Sequence, residues 1–177
     1  HSGSIMSLLI KTRRLLRLHK LSPKKRFGQN FVVDDSLLQR LVSYASIKSG
    51  EVILEVGAGF GFLTRLLAEK CKKVIAVEVD WNLIKVLEAQ LNDLENVELI
   101  EGDILKVPVP PFNKVVSIPP YSISSPMLFW LLERRFDCAV LTFQKEFAER
   151  LTASAGSKDY GRLTVTTYYF ADTELLE

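Results

Sequence analysis

The stretch that decides the fold is Val52-Ile53-Leu54-Glu55-Val56-Gly57-Ala58-Gly59-Phe60-Gly61-Phe62. A short β-branched run enters three alternating glycines, and an apolar pattern of helical period follows. That order describes a strand turning sharply into a helix. Glycine permits a positive φ and lets backbone N–H groups approach a ligand closely. The helix that follows directs the positive end of its dipole at the same place. A glycine run alone can be a tight turn; the joint pattern points to a cofactor site.

The spacing narrows the cofactor. Dinucleotide-binding turns read G-x-G-x-x-G, whereas Gly57, Gly59 and Gly61 read G-x-G-x-G, with Phe62 where the third dinucleotide glycine belongs. Glu55 stands two positions before the first glycine. An acid there repels a pyrophosphate but can hold a cationic amino-acid group, directly or through water. Both features favour S-adenosylmethionine, which carries an ammonium and a sulfonium. The next apolar run, Lys73 to Val77, ends in Glu78-Val79-Asp80. An acid at the end of the second strand is placed for ribose hydroxyls.

Outward from this core, the chain alternates strands and helices. The pattern predicts a helix with Leu37, Leu38, Leu41, Val42 and Ala45 on one face, opened by Asp34-Asp35-Ser36. It then predicts strand 52–56, helix 60–71, strand 73–79, helix 81–93 capped by Asp80, strand 96–100 and strand 114–118. Helix 125–134, strand 137–143, helix 144–153 and strand 163–170 follow. Such alternation implies an α/β fold, a doubly wound Rossmann-like sheet with helices on both faces and the ligand at the carboxyl ends of the strands. Glu55, Gly57, Glu78, Asp103 and the segment Ser117–Tyr121 then share one sheet edge. Asp103 is placed to accept a hydrogen bond from an adenine amino group.

Composition bounds the remainder. The 177 residues are 47% hydrophobic, enough for one domain with a core. No apolar run approaches the ~20 residues that span a bilayer, and no secretory signal is visible. Residues His1–Met6 read as a vector-derived remnant ahead of a native Met6. Cys71 and Cys138 stand apart, without metal-ligand spacing, and read as reduced thiols of a cytoplasmic protein. His1 and His19 are the only histidines, which argues against a histidine triad or a zinc site. Net charge is +2, but residues 11–26 hold eight Lys/Arg and no acid, leaving −6 on the rest. A basic arm, residues 7–26, on an acidic body suggests a polyanionic partner. Leu15, Leu16 and Leu18 make part of that arm amphipathic, so it is expected to dock as a short helix.

Several motifs together carry a resemblance. They are Lys25-Arg26-Phe27-Gly28-Gln29-Asn30-Phe31, Glu55–Gly61, Glu78-Val79-Asp80, Gly102-Asp103, Pro120-Tyr121 with Ile123-Ser124-Ser125-Pro126, Gln144-Lys145-Glu146, and Asp159-Tyr160-Gly161-Arg162-Leu163. In this order and spacing the chain resembles the rRNA adenine N6,N6-dimethyltransferases, the small-subunit rRNA dimethylases and erythromycin-resistance methylases. The resemblance covers about residues 24–170. It implies dimethylation of adenine N6 in small-subunit rRNA, with residues 27–177 as the methyltransferase domain and the family's small helical domain beginning after Glu177.

The same resemblance implies site residues. Asn30 and Val32 close over the cofactor, Gly57 contacts its methionine part, Glu78 the ribose and Asp103 the adenine. Gln29, Glu55, Gly59, Gly61, Val79, Ile104 and Ile118 complete the implied cofactor-binding set. Ser117, Ile118, Pro119, Pro120 and Tyr121 form the catalytic loop, with an unstacked adenine against Tyr121. Here the chain departs from the family: the Asn of Asn-x-Pro-Tyr is replaced by Ile118, which has no side-chain acceptor. Either a carbonyl of Pro119 or Pro120 suffices, or Ser117 is reached through a bulge, or the domain binds cofactor and RNA with little catalysis. Two other classes stay in view. One is a non-catalytic RNA-binding or ribosome-assembly factor that keeps the fold; the other is a DNA adenine methylase, which uses a similar Pro-Pro-Tyr. The expected partners are rRNA and the small ribosomal subunit, with no membrane, no metal and a monomeric chain.

Overall fold

The computed structural model describes residues 2–20, 35–143, 147, 150 and 163–167. Helix α1 is Ser2–Leu18 and α2 is Asp35–Ala45. Strand β1 (Val52–Val56) leads to α3 (Phe62–Ala68), β2 (Lys73–Glu78), α4 (Trp81–Gln90) and β3 (Val97–Glu101). Strand β4 (Lys114–Ser117) is followed by a 3-10 turn over Tyr121–Ile123, α5 (Ser124–Leu132), β5 (Cys138–Phe143) and β6 (Leu163–Thr167).

The six strands form one parallel sheet in the order β3-β2-β1-β4-β5-β6. The chain winds outward from β1 to β3, then returns to lay β4 on the other side of β1. The connections after β1 and after β4 therefore leave in opposite directions and open a crevice at the carboxyl ends of these two strands, where open α/β sheets bind ligands. This is the doubly wound fold expected from the sequence.

Every central strand is apolar because both faces of the sheet are covered. Side chains alternate between two cores. Ile53, Val74, Ala76, Val116 and Val140 face α2, α3 and α4. Leu54, Ile75, Val77, Val115, Ala139 and Leu141 face α5 and the aromatic group of Phe112, Trp130 and Phe136. Helix α2 buries the five residues that its period singled out, Leu37, Leu38, Leu41, Val42 and Ala45.

Polar clamps at the amino-terminal edge fix the sheet's base. Lys114, the first residue of β4, is buried; its Nζ donates to the carbonyls of Ala45 (2.9 Å) and Ser46 (3.0 Å) and pairs with Glu51 at 3.0 Å. A cation thus closes the carbonyl end of α2. Asn113 accepts from Val52 N–H through its side chain at 2.7 Å and donates its own N–H to Val52 O at 2.8 Å.

Several boundaries differ from the sequence expectation, each for a local reason. Helix α3 stops at Ala68, because the Asn96 side-chain amide donates to the Ala68 carbonyl (2.8 Å) and the Cys71 carbonyl (3.3 Å). Helix α4 stops at Gln90, and Asp93 beyond it is drawn into a bidentate pair with Arg65. Helix α1 is longer than the short docking helix expected and runs unbroken across the boundary placed at Met6. Leu15 and Leu16 are buried on Phe60, Leu83 and Val86, whereas Leu18 is exposed. The expected helix 144–153, apart from positions 147 and 150, and the end of strand 163–170 lie outside the described residues. So do Asp34 and the motifs at 25–31, 144–146 and 159–162. Among the described residues, no helix is long and apolar enough to cross a membrane.

Candidate active site

At the crest of the sheet, residues from four separate parts of the chain enclose a cavity of about 210 Å³. Its wall includes Gly57 after β1, Glu78 and Val79 after β2, Asp103 and Ile104 after β3, and Pro120 after β4. The switch between β1 and β4 is what brings these positions together.

The three glycines have three different local reasons. Gly57 has φ +80° and donates to Val77 O at 2.8 Å. A Cβ there would lie 2.9 Å from Pro120 Cδ and 3.7 Å from the Ile118 carbonyl oxygen. The β1 loop and the β4 loop therefore touch at a point where only a glycine fits. Gly59 turns its N–H onto Glu78 Oε1 at 3.1 Å. Gly61 is absent from the cavity wall: a Cβ there would meet Leu87 and Leu91 of α4, each at 3.1 Å. The spacing presented Gly61 as a cofactor glycine; the structure gives it a helix-packing position.

The two acids differ as sharply. Glu78 is buried, and its Oε1 and Oε2 accept from Gly59 N–H and Asp80 N–H (3.0 Å). Burial raises its pKa, and these two donors work against that rise. It keeps a face on the cavity. Glu55 is buried and does not line the cavity; its Oε1 accepts from the Thr64 hydroxyl of α3. Burial pushes its pKa up to about 8, with the neighbouring Glu78 charge adding to the rise and Thr64 opposing it. Glu55, which the sequence offered as a holder of a cationic amino-acid group, directly or through water, thus sits beneath the loop, bonded to α3.

Asp103 Oδ1 accepts from Leu105 N–H at 2.9 Å, which fixes the turn after β3 and holds Asp103 at the cavity wall. Val79 is half exposed and Ile104 is buried. Together they give the cavity two apolar walls beside two carboxylates, a lining suited to a nucleoside.

In the loop after β4, Ser117 is fully buried. Its hydroxyl donates to Val56 O at 2.6 Å and accepts from Val56 N–H at 3.0 Å. It clasps the ends of β1 and β4 together, already accepts from Val56 N–H and does not line the cavity, so no bulge delivers it to the crest as an acceptor. Ile118 packs its side chain against the core on the α2–α3 face. Pro119 is buried, and Pro120 and Tyr121 are half-buried. The Pro120 carbonyl accepts from Ile123 N–H at 3.2 Å as the 3-10 turn begins. Of the two carbonyls considered for an acceptor role, that of Pro119 is the one outside the turn. Gln29, Asn30 and Val32 lie outside the described residues. Sequence reasoning missed the Thr64 hydroxyl and the Gly57–Pro120 contact, since neither leaves a local signal in the chain.

Comparison with known proteins places this geometry. A model of the family described as ribosomal RNA adenine dimethylase matches residues 20–177. A protein of Methanosarcina acetivorans, described as a probable ribosomal RNA small subunit methyltransferase A, is 51% identical over 150 residues, covering 85% of this chain and 56% of its own length. A protein of Methanopyrus kandleri with the same description is 46% identical over 157 residues, covering 88% and 56%. The chain thus spans little more than half the length of these relatives. Among solved structures, a dimethyladenosine transferase from Plasmodium falciparum superposes with a TM-score of 0.64 at 40% identity, over 72% of this chain and 48% of that one. The 23S rRNA methyltransferase ErmE gives 0.66 at 33% identity, over 72% and 53%.

Proposed function

Because this chain belongs to the ribosomal RNA adenine dimethylase family, we propose that it carries the methyl-transfer centre of an enzyme that dimethylates adenine N6 in small-subunit rRNA. The observation that carries this reading is the crest cavity, where Gly57, Glu78, Asp103 and Pro120 share one wall. The cofactor it fits is S-adenosylmethionine, which supplies an electrophilic methyl on a sulfonium.

The residues then divide the work. Gly57, lacking a side chain, lets the methionine part approach the β1 loop. Glu78 offers the ribose diol the lone pairs not used by Gly59 and Asp80. Asp103 accepts from the adenine amine, and Val79 and Ile104 cover the flat faces of the ring. On the substrate side, an adenine N6 is a poor nucleophile because its lone pair is delocalised into the ring. An acceptor on the amine hydrogens polarises it. The Pro119 carbonyl, with φ of both prolines fixed, is a rigid acceptor for that role. Tyr121 offers a ring to the unstacked base. Proton acceptance by a strong base is not needed. Such an enzyme works in the cytoplasm on assembling small subunits, as a monomer and without a metal.

The test is transfer of labelled methyl from S-adenosylmethionine to small ribosomal subunits by the full-length protein. Absence of transfer while the cofactor still binds sinks the reading. The second reading, a non-catalytic RNA-binding or assembly factor, is favoured by Ile118 and by the commitment of Ser117 to Val56. Ile118→Asn separates the two. Activity rising from near zero supports the second reading, and little change supports the carbonyl.

A further inference from the structure

A second and larger cavity, about 370 Å³, lies where α1 crosses the α3–α4 layer. It shares only the β1 loop with the crest: its lining contains none of the residues of the crest cavity. Lys11 and Arg14 reach it from α1, Phe60 from the β1 loop, Phe62 and Arg65 from α3 and Gln90 from α4. No carboxylate lines it.

The three cations are not equivalent. Arg65 is held by both oxygens of Asp93 (2.7 and 2.9 Å) and by the Gln90 carbonyl (2.6 Å), so its charge is largely spent and its plane fixed. Lys11 and Arg14 are exposed and have no ion-pair partner among the described residues. Three residues apart, they sit on one face of α1. That face is held in place, because Leu15 and Leu16 are buried on Phe60, Leu83 and Val86. The opposite wall is aromatic: the Phe60 and Phe62 rings lie 6.3 Å apart, tilted by 47°. Two unneutralised cations over a partly apolar cavity of single-ligand size form a site for a flat group bearing a phosphate. Proteins take splayed RNA bases in this way, with the backbone on cations and the base on an aromatic or guanidinium plane.

We infer that this cavity takes one unstacked nucleotide of the RNA, away from the reacting adenine, with its phosphate on Lys11 and Arg14 and its base against Phe62. The inference rests on the reading of the protein as one that binds rRNA. It makes α1 a docked recognition element rather than a diffuse basic tail.

The experiment measures binding of a fluorescent small-subunit rRNA hairpin to the full-length protein across a salt series. Three variants are compared: Lys11→Glu with Arg14→Glu, Gln90→Trp, and Lys20→Glu. The first removes the cations. The second fills the cavity at no cost in charge. The third changes an exposed cation of the same segment outside the lining. The double variant is expected to weaken binding and to lower the salt slope by roughly 1, since each phosphate contact contributes about 0.7–0.9. Gln90→Trp is expected to weaken binding by roughly tenfold, the scale of one base–aromatic stack, with the slope unchanged. Lys20→Glu is expected to have the smallest effect. Calorimetry with S-adenosylhomocysteine and a thermal melt are expected to match wild type in all three.

Wild-type affinity in Gln90→Trp overturns the inference, because a filled cavity would then cost nothing. So does a double variant that loses no more than Lys20→Glu does. Binding of AMP to wild type, with RNA affinity unchanged in Gln90→Trp, reassigns the cavity to a free nucleotide and overturns it as well. Failure of the wild type to bind any rRNA fragment strikes the functional reading first, and this inference with it.

Discussion

Replacing Glu55 by Gln tests the most unusual electrostatic feature of the crest. Glu55 is buried beneath the β1 loop, bonded to Thr64 and near Glu78. Its pKa is pushed up from 4.5 to about 8 by burial first and by the Glu78 charge second. Between those two values the unfolded chain releases the proton and the native protein keeps it. The native state therefore binds more protons, and stability falls as pH rises through that window. The contribution is fully favourable below 4.5 and is lost by about pH 8. At about 1.4 kcal/mol per unit, the whole window is of order 5 kcal/mol. Glutamine keeps the shape and an acceptor for Thr64 but cannot ionise. Urea unfolding of both proteins at pH 5, 6.5 and 8 isolates Glu55 with its coupling to Glu78, because titrations elsewhere cancel in the difference. The two are expected to be nearly equal at pH 5, with Glu55→Gln ahead by a margin that grows toward pH 8. Parallel profiles would refute the reasoning. Parallel profiles are what a Glu55 already ionised in the native state across this range would give.

Other perturbations probe the rest of the framework. Glu78→Ala should weaken S-adenosylhomocysteine binding by about 1.5–3 kcal/mol, the range for hydrogen bonds to charged groups; unchanged affinity by calorimetry removes Glu78 from the ribose site. Gly57→Ala places a methyl 2.9 Å from Pro120 Cδ at a φ of +80° and should cost about 1–3 kcal/mol in backbone strain alone. Its methyl-transfer rate should fall further than that of Gly61→Ala, which carries a similar φ strain but meets the Leu87 and Leu91 side chains at 3.1 Å instead of the loop after β4. Lys114→Met strands Glu51 and two α2 carbonyls at the base of the sheet and should lower unfolding stability by about 3 kcal/mol while leaving cofactor affinity intact. Equal melting temperatures for Lys114→Met and wild type would show that water replaces the amine.

The fold was legible because its information is local and repeated. Four apolar runs, at 52–56, 73–79, 114–118 and 137–143, are each followed by a helical period and leave few topologies once crossovers are right-handed and short. The cofactor edge was legible for a related reason: Gly57, Glu78 and Asp103 each stand at the end of their own strand, so any parallel sheet brings them to one edge. What was not legible depends on partners far away in the chain. Nothing near Ser117 announces that it will bond both backbone groups of Val56, 61 residues earlier. Nothing near Lys114 announces α2, 68 and 69 residues away. Nothing in the glycine run announces that Gly61 will lie against Leu87 and Leu91. Glu55 depends on a partner in the same way: nothing beside the glycine loop announces its bond to Thr64 of α3 or the burial that raises its pKa.

These distant contacts bear on how the loss of the family asparagine at position 118 is understood. The β4 loop is positioned by three features that do not involve the side chain at 118: the Ser117–Val56 clasp, the Pro120 ring against Gly57, and the 3-10 turn closed by Ile123 on Pro120. The backbone that carries the Pro119 carbonyl is therefore fixed from both sides, whatever residue occupies 118. The Ile118 side chain itself packs on the α2–α3 core. An asparagine in its place either leaves an amide against that core, at a cost of about 1–3 kcal/mol, or turns toward the crest and gains a substrate contact. Stability and activity then move separately. An Ile118→Asn variant that loses stability without gaining rate has its amide in the core, which is the arrangement expected if the carbonyl already does the work. One that gains rate at unchanged stability has turned outward, and the wild-type loop was short of an acceptor.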